Sequence, residues 1–213
     1  MMTVMVLNCT LSPIEIISFA AGTSTGRNEA AYNGEKTFAA EHEARKRRVK
    51  NCFDKGHMSV FEFAHMSFYI SGISRACANQ LVRHRLCSFC QESQRYTKID
   101  TTKDDWYIIP ERLRSKDHIS RLYLNEVRRA GEVYNELIAD DVPFEDARYV
   151  LPEATKTNIT MGCNLRNLYH FLSLREDMHA QWEIRNLARC MRVSISSENK
   201  SWAWLLDLLK MYE

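Results

Sequence analysis

Residues 64–96 read AHMSFYISGISRACANQLVRHRLCSFCQESQRY, and the side-chain period changes twice along them. Ala64, Met66, Phe68 and Ile70 alternate with His65, Ser67 and Tyr69, a spacing of two that predicts a strand. That strand is expected to cover His57–Ile70 and to end at Gly72. Ile73, Cys77 and Leu81 then recur every four residues, with Ala78 and Val82 beside them, so a helix should run directly into Arg83. From Arg83 to Tyr96 (RHRLCSFCQESQRY) periodicity lapses and polar donors crowd together. Arginine is a planar fork of donors suited to phosphate or carboxylate. Three of them beside a histidine, a glutamate, serines and glutamines point to a site for a phosphorylated, aromatic small molecule. A strand, a helix and a donor-rich segment in that order place the chain in the α+β class.

Working outward, Thr3–Leu7 is short, apolar and partly β-branched, and predicts a first strand. Ser12-Pro13 has the form of an N-cap followed by proline at the first helical position, opening a helix that stops near Gly22. Thr23–Gly34 is a loop by composition, and Glu35–Lys55 a charged helix closed by Gly56. Trp106–Pro110 is a short apolar segment. Leu113–Ile138 carries an apolar stripe at helical spacing, Pro143 opens a short helix that Pro152 closes, and Thr155–Thr160 reads as a strand. Two amphipathic helices follow, with stripes at 165/168/169/172 and 184/187/188/191, and a last one carries Trp202 to Leu209. The whole is expected to be a single domain over residues 1–213, a central β-sheet flanked by helices.

Composition narrows the function classes. The chain has 213 residues, 45% of them hydrophobic, enough for a sizeable core. A net charge of +2 argues against a general nucleic-acid or membrane binder. No apolar run approaches the roughly 20 residues of a spanning helix, and no basic segment followed by an apolar one suggests a signal peptide. Seven scattered cysteines, an odd number, fit a reducing cytoplasm better than a disulfide framework.

Other chemistries fit less well. Cys87-x-x-Cys90 lacks a second ligand pair for zinc and follows a helix rather than a strand, unlike a thioredoxin-type pair; it reads as two space-filling residues. No glycine flanks Ser88 or Ser93, as a hydrolase elbow would require. Neither glycine-rich phosphate signature occurs. The RKRR run at Arg45–Arg48 reads as a solvated helix face balanced by Glu41 and Glu43. Together with RHR it supplies the rival reading, a nucleic-acid-binding protein.

Arg83-His84-Arg85, seven residues, then Ser93 resembles the RHR-x7-S signature of the flavin-dependent thymidylate synthases. Ser88, Ser93 and Arg95 also meet the family's longer form, with Cys90 standing where asparagine is expected. Gly56-His57 with Phe61-Glu62, Ala147–Pro152 (ARYVLP), Asn164-Leu165-Arg166, and Leu174-Arg175 with His179–Glu183 resemble its other blocks in the same order. Gly22 stands where the family commonly has arginine. The resemblance implies an α+β homotetramer with shared active sites. It implies FAD, NADPH as reductant, and transfer of a methylene from 5,10-methylenetetrahydrofolate to dUMP. FAD contacts would be Ser24, Ser59, Arg83, His84, Arg85, Gln91, Asn164, Arg166, His170 and His179. Gln80, Arg83, Gln91, Glu92, Ser93, Gln94, Arg95 and Arg148 would line the dUMP pocket with Arg175, and Arg175 and Ser93 would serve the chemical step.

Overall fold

The computed structural model describes residues 2–26, 38–115 and 117–210. Four strands form one sheet: β1 (Thr3–Cys9), β2 (His65–Ser74), β3 (Ser88–Gln91) and β4 (Lys156–Asn164), in the order β1-β2-β4-β3. The Thr10 N–H donates to the His65 carbonyl (3.0 Å), the Leu165 N–H to the Ala64 carbonyl (2.8 Å) and the Glu92 N–H to the Asn158 carbonyl (2.9 Å). Pairings of that sense make the neighbours antiparallel. Around the sheet are α1 (Pro13–Thr23), α2 (Phe38–Asp54), α3 (Arg75–Leu81), α4 (Glu111–Arg114), α5 (Asp117–Ala139), α6 (Phe144–Ala147), α7 (Leu165–Arg175), α8 (Trp182–Ser196) and α9 (Lys200–Lys210). The α+β expectation holds.

The chain falls into two compact units, each drawn from separated segments. One comprises residues 1–3, 70–83 and 90–159. Its core gathers Trp106, Tyr107 and Val127, with Tyr123, Leu124 and Leu151 packed against them. The Trp106–Pro110 segment is pinned by backbone bonds from Ile108 N–H to Ala154 O (2.8 Å) and from Lys156 N–H to Trp106 O (2.8 Å). The other unit comprises residues 4–69, 84–89 and 160–213. The stripes of α7 and α8 supply its core, with Leu168, Phe171, Leu172, Ile184, Leu187 and Met191 all inaccessible to solvent. Burying such side chains contributes about 1.5–3 kcal/mol each.

Four local expectations are corrected. The strand predicted over His57–Ile70 begins only at His65, because Met58–Phe63 is a 3-10 helix. Val60 and Phe61 are consecutive and both buried; a strand would turn one of them outward. Gly72 does not end β2 but lies within it at φ +70°, and its N–H donates to the Asn158 side chain (3.3 Å). Ser12 occupies the N-cap position of α1, yet its side chain makes no capping bond. The donor-rich segment contains a strand, β3, that alternation did not reveal. The start of the helix predicted at Glu35, and most of the Thr23–Gly34 loop, lie outside the described residues.

Candidate functional site

In the unit holding residues 90–159, α3 begins with Ser74 at its N-cap, the hydroxyl accepting from the Cys77 N–H (3.0 Å). Arg75 is therefore a cation in the first turn of a helix, where the dipole disfavours it. Its Nη1 is buried with no hydrogen-bond partner, and so is Nε2 of Gln94, a residue 7% exposed. Both belong to a cavity of about 340 Å³ completed by Arg148, Tyr149 and Leu151–Glu153. Burial, then the neighbouring Arg148 cation, press the Arg75 pKa below the ordinary arginine value, while Glu153 and Glu92 partly offset them. A buried donor without an acceptor costs about 1–3 kcal/mol, and the Arg75 and Arg148 guanidiniums favour an anion in this cavity while Glu153, which also lines it, opposes one.

Several predicted residues surround this feature. Arg148 is anchored through Nε to the Glu145 carbonyl (3.0 Å). Arg95 does not line the cavity; its Nε pairs with Glu145 Oε2 (2.8 Å) on α6. Gln91 Nε2 donates to Thr157 Oγ1 (3.2 Å), and Glu92 Oε2 accepts from Asn158 Nδ2 (2.8 Å), which fixes both against β4. Ser93 caps a turn: its Oγ accepts from the Arg95 N–H (3.2 Å) and its carbonyl from the Thr97 N–H (3.0 Å). Gln80 is half-buried on α3, and Arg83 is exposed just beyond it.

In the other unit, His84 is 8% exposed, and its Nε2 accepts from Arg175 Nε (3.0 Å). Arg175 closes α7, a terminus where the dipole favours a cation. His84 stands edge-on to Phe171 (ring centroids 5.0 Å apart) and His170 (6.1 Å). Burial, with the Arg175 and His170 charges behind it, lowers the His84 pKa from 6.5 to about 4. A neutral imidazole so placed orients the guanidinium without cancelling its charge. Asn164 caps α7, its Oδ1 accepting from the Asn167 N–H (2.9 Å). Arg166 pairs with Glu62 (2.6 Å). Arg85, His170, His179 and Ser59 are exposed, and the Ser24 hydroxyl donates to the Ala21 carbonyl (2.9 Å).

Two residues were missed. Arg75 could have been noticed as a basic residue directly after a serine N-cap. Asn167, whose Nδ2 donates to the Leu86 carbonyl (2.9 Å) and so holds the turn after RHR, left no such signal. The RKRR run is structural: Arg45 pairs with Glu41 (3.1 Å), Lys46 with Glu43 (3.2 Å), and Arg48 Nη1 donates to Ser18 (3.3 Å).

The family model described as "Thymidylate synthase complementing protein" matches residues 5–198. The flavin-dependent thymidylate synthase of Thermococcus onnurineus is 36% identical over 186 residues, covering 87% of this chain and 75% of that protein. Two solved structures share the fold. The Streptomyces cacaoi UMP/dUMP methylase bound with 5-Br dUMP superposes with TM-score 0.78 at 23% identity, covering 92% of this chain and 91% of its own. Thymidylate synthase X from Helicobacter pylori, with FAD and dUMP, gives TM-score 0.72 at 24% identity over 99% and 100%. With a family model spanning most of the chain and a relative above one-third identity, the chain belongs to the flavin-dependent thymidylate synthases.

Proposed function

We propose that the protein methylates dUMP to dTMP, taking a methylene from 5,10-methylenetetrahydrofolate and electrons from NADPH through FAD, and leaving tetrahydrofolate. The observation that carries this reading is the cavity lined by Arg75, Gln94 and Arg148, two guanidiniums and an amide gathered at one place. A nucleotide phosphate supplies the charge and the several acceptor oxygens that such donors lack. Gln80, Arg83, Gln91, Glu92, Ser93 and Arg95 join Arg148 in holding dUMP. Ser93 already directs its hydroxyl into a backbone turn, so a ligand there meets an ordered rather than a floppy group.

The donor set of the other unit suits FAD. Arg85 presents an exposed guanidinium, His170 an exposed imidazole, and Arg166 sits in the first turn of α7 beside the Asn164 cap, where the helix dipole favours anions. His84, Ser59, Ser24, His179, Arg83 and Gln91 complete the contacts. When bound, the flavin supplies the hydride that turns the transferred methylene into a methyl group.

Arg175 acts on the pyrimidine. Making uracil C5 nucleophilic requires negative charge to build at N3 and O4 before the attack, and a guanidinium already fixed by His84 stabilises that charge with little reorganisation. No cysteine is needed as a nucleophile. We further propose a homotetramer whose active sites draw on more than one subunit, in the cytoplasm. Among the described residues no helix is long and apolar enough to cross a membrane.

The visible spectrum of freshly purified protein tests this reading. A yellow protein that releases FAD on denaturation is expected, and a folded, colourless protein that FAD cannot reconstitute would overturn it.

A further inference from the structure

The catalytic proposal uses no thiol, yet Cys87 and Cys90 stand at either end of a short run that includes the start of β3. Extended backbone turns successive side chains to opposite faces. Within β3, Phe89 and Gln91 therefore share one face and Ser88 and Cys90 the other, and Cys87 sits at the bend just before the strand. Two bonds to β4 fix those faces: Gln91 Nε2 to the Thr157 hydroxyl and Asn158 Nδ2 to the Glu92 carboxylate. The apparent C-x-x-C pair points its sulfurs apart.

The partner of Cys87 is on the neighbouring strand. Glu92 faces Asn158 through a backbone bond of 2.9 Å, and a Cβ built on Gly162 would lie 4.0 Å from Ser88 Cβ. That register sets Cys87 opposite Cys163. Cys87 stands one residue before β3 and Cys163 lies within β4, and the two thiols are close enough to hydrogen-bond, the side-chain approach that a disulfide requires. Both thiols are free, Cys163 being buried and Cys87 half-buried, and their side chains are hydrogen-bonded to each other. That bond holds the Cys87 thiol below its usual range. The same bond, burial and the Cys87 charge push Cys163 up. Cys87 is the thiol that ionises and attacks first.

We propose that Cys87 and Cys163 form a thiol–disulfide exchange site for low-molecular-weight disulfides. The Cys87 thiolate attacks the external S–S bond, which forms a mixed disulfide and expels one thiolate that takes up a proton. Cys163 then loses its proton and attacks Cys87 Sγ, expelling the second thiol. Two protein thiols are oxidised by two electrons, and the external disulfide is reduced to two thiols. The crosslink fastens the start of β3, and with it the His84–Leu86 turn, to the end of β4 beside Asn164. It depends on strand register alone, so its failure would leave the catalytic reading intact.

The test is peptide mapping of the purified protein after exposure to glutathione disulfide and alkylation. A Cys87–Cys163 crosslinked peptide is expected, lighter by two hydrogens, restored by dithiothreitol, and equally formed in Cys90→Ser. In Cys163→Ser, glutathione should remain trapped on Cys87. A Cys87–Cys90 crosslink, adducts on Cys90 alone, or no crosslink in the folded wild-type protein at any glutathione ratio would overturn it; the wild-type result needs no variant to fold.

Discussion

Arg75 and His84 carry the sharpest consequences at the scale of single residues. Arg75 Nη1 is a buried donor awaiting an acceptor, and a hydrogen bond to a charged group contributes about 1.5–3 kcal/mol. Arg75→Met should therefore raise the dUMP KM by about 10–100-fold, with the FAD spectrum unchanged; an unaltered KM would show that the cavity does not hold the phosphate. His84 has a depressed pKa, about 4 against 6.5. The unfolded chain then binds the proton more readily than the native one, so this contribution is intact above pH 6.5 and lost as pH falls toward 4. The span corresponds to a few kcal/mol at most. Urea unfolding at intervals across that window should show a steeper loss in the wild type than in His84→Gln, and parallel slopes would contradict the assignment. Arg175 is singled out in the sequence by the block it belongs to, while for Arg75 the sequence offers only a basic residue after a serine; its place beside Gln94 and Arg148, distant residues that the fold brings to one cavity, is not legible there.

Elements with strong periodicity were the easiest to read. The stripes of α7 and α8 appear in the chain much as they do in space, whereas β4 reads from its β-branched residues only to Thr160 although it continues to Asn164. β3 was hidden because four residues, SFCQ, are too few to establish a period. The 3-10 helix at Met58–Phe63 reads as strand in the sequence because Met58, Val60, Phe61 and Phe63, interrupted only by Ser59 and Glu62, lead towards β2. Gly72 was taken for a terminator, whereas it is a strand residue whose φ of +70° only glycine adopts cheaply. Gly72→Ala should therefore destabilise the protein by about 1–2 kcal/mol, read as a lower urea midpoint with an unchanged m-value; equal stability would mean that β2 tolerates a Cβ there. On α2, Lys46→Ala should leave turnover unchanged and cost about 1 kcal/mol, since it loses an exposed i,i+3 pair with Glu43 and a cation–π contact with the Trp204 ring (5.6 Å). A large loss of activity would reopen the reading of RKRR as a binding surface.

At the scale of the molecule, two of the boundaries between the compact units fall between Arg83 and His84 and between Phe89 and Cys90, inside the stretch that first drew attention. The residues proposed for each ligand do not sort by unit: Arg83 and Gln91, proposed for FAD, lie with Gln94 and Arg148 in one, and Arg175, proposed for dUMP, lies with His84, Asn164 and Arg166 in the other. The central claim is chemical, that this chain makes dTMP with a flavin rather than a folate as the hydride donor. The direct measurement incubates purified protein with dUMP, NADPH, FAD and 5,10-methylenetetrahydrofolate and quantifies both products. Equal amounts of dTMP and tetrahydrofolate, both lost in Arg175→Ala that retains its fold, are expected. Formation of dihydrofolate in step with dTMP, or no dTMP from flavin-loaded protein, would contradict the account.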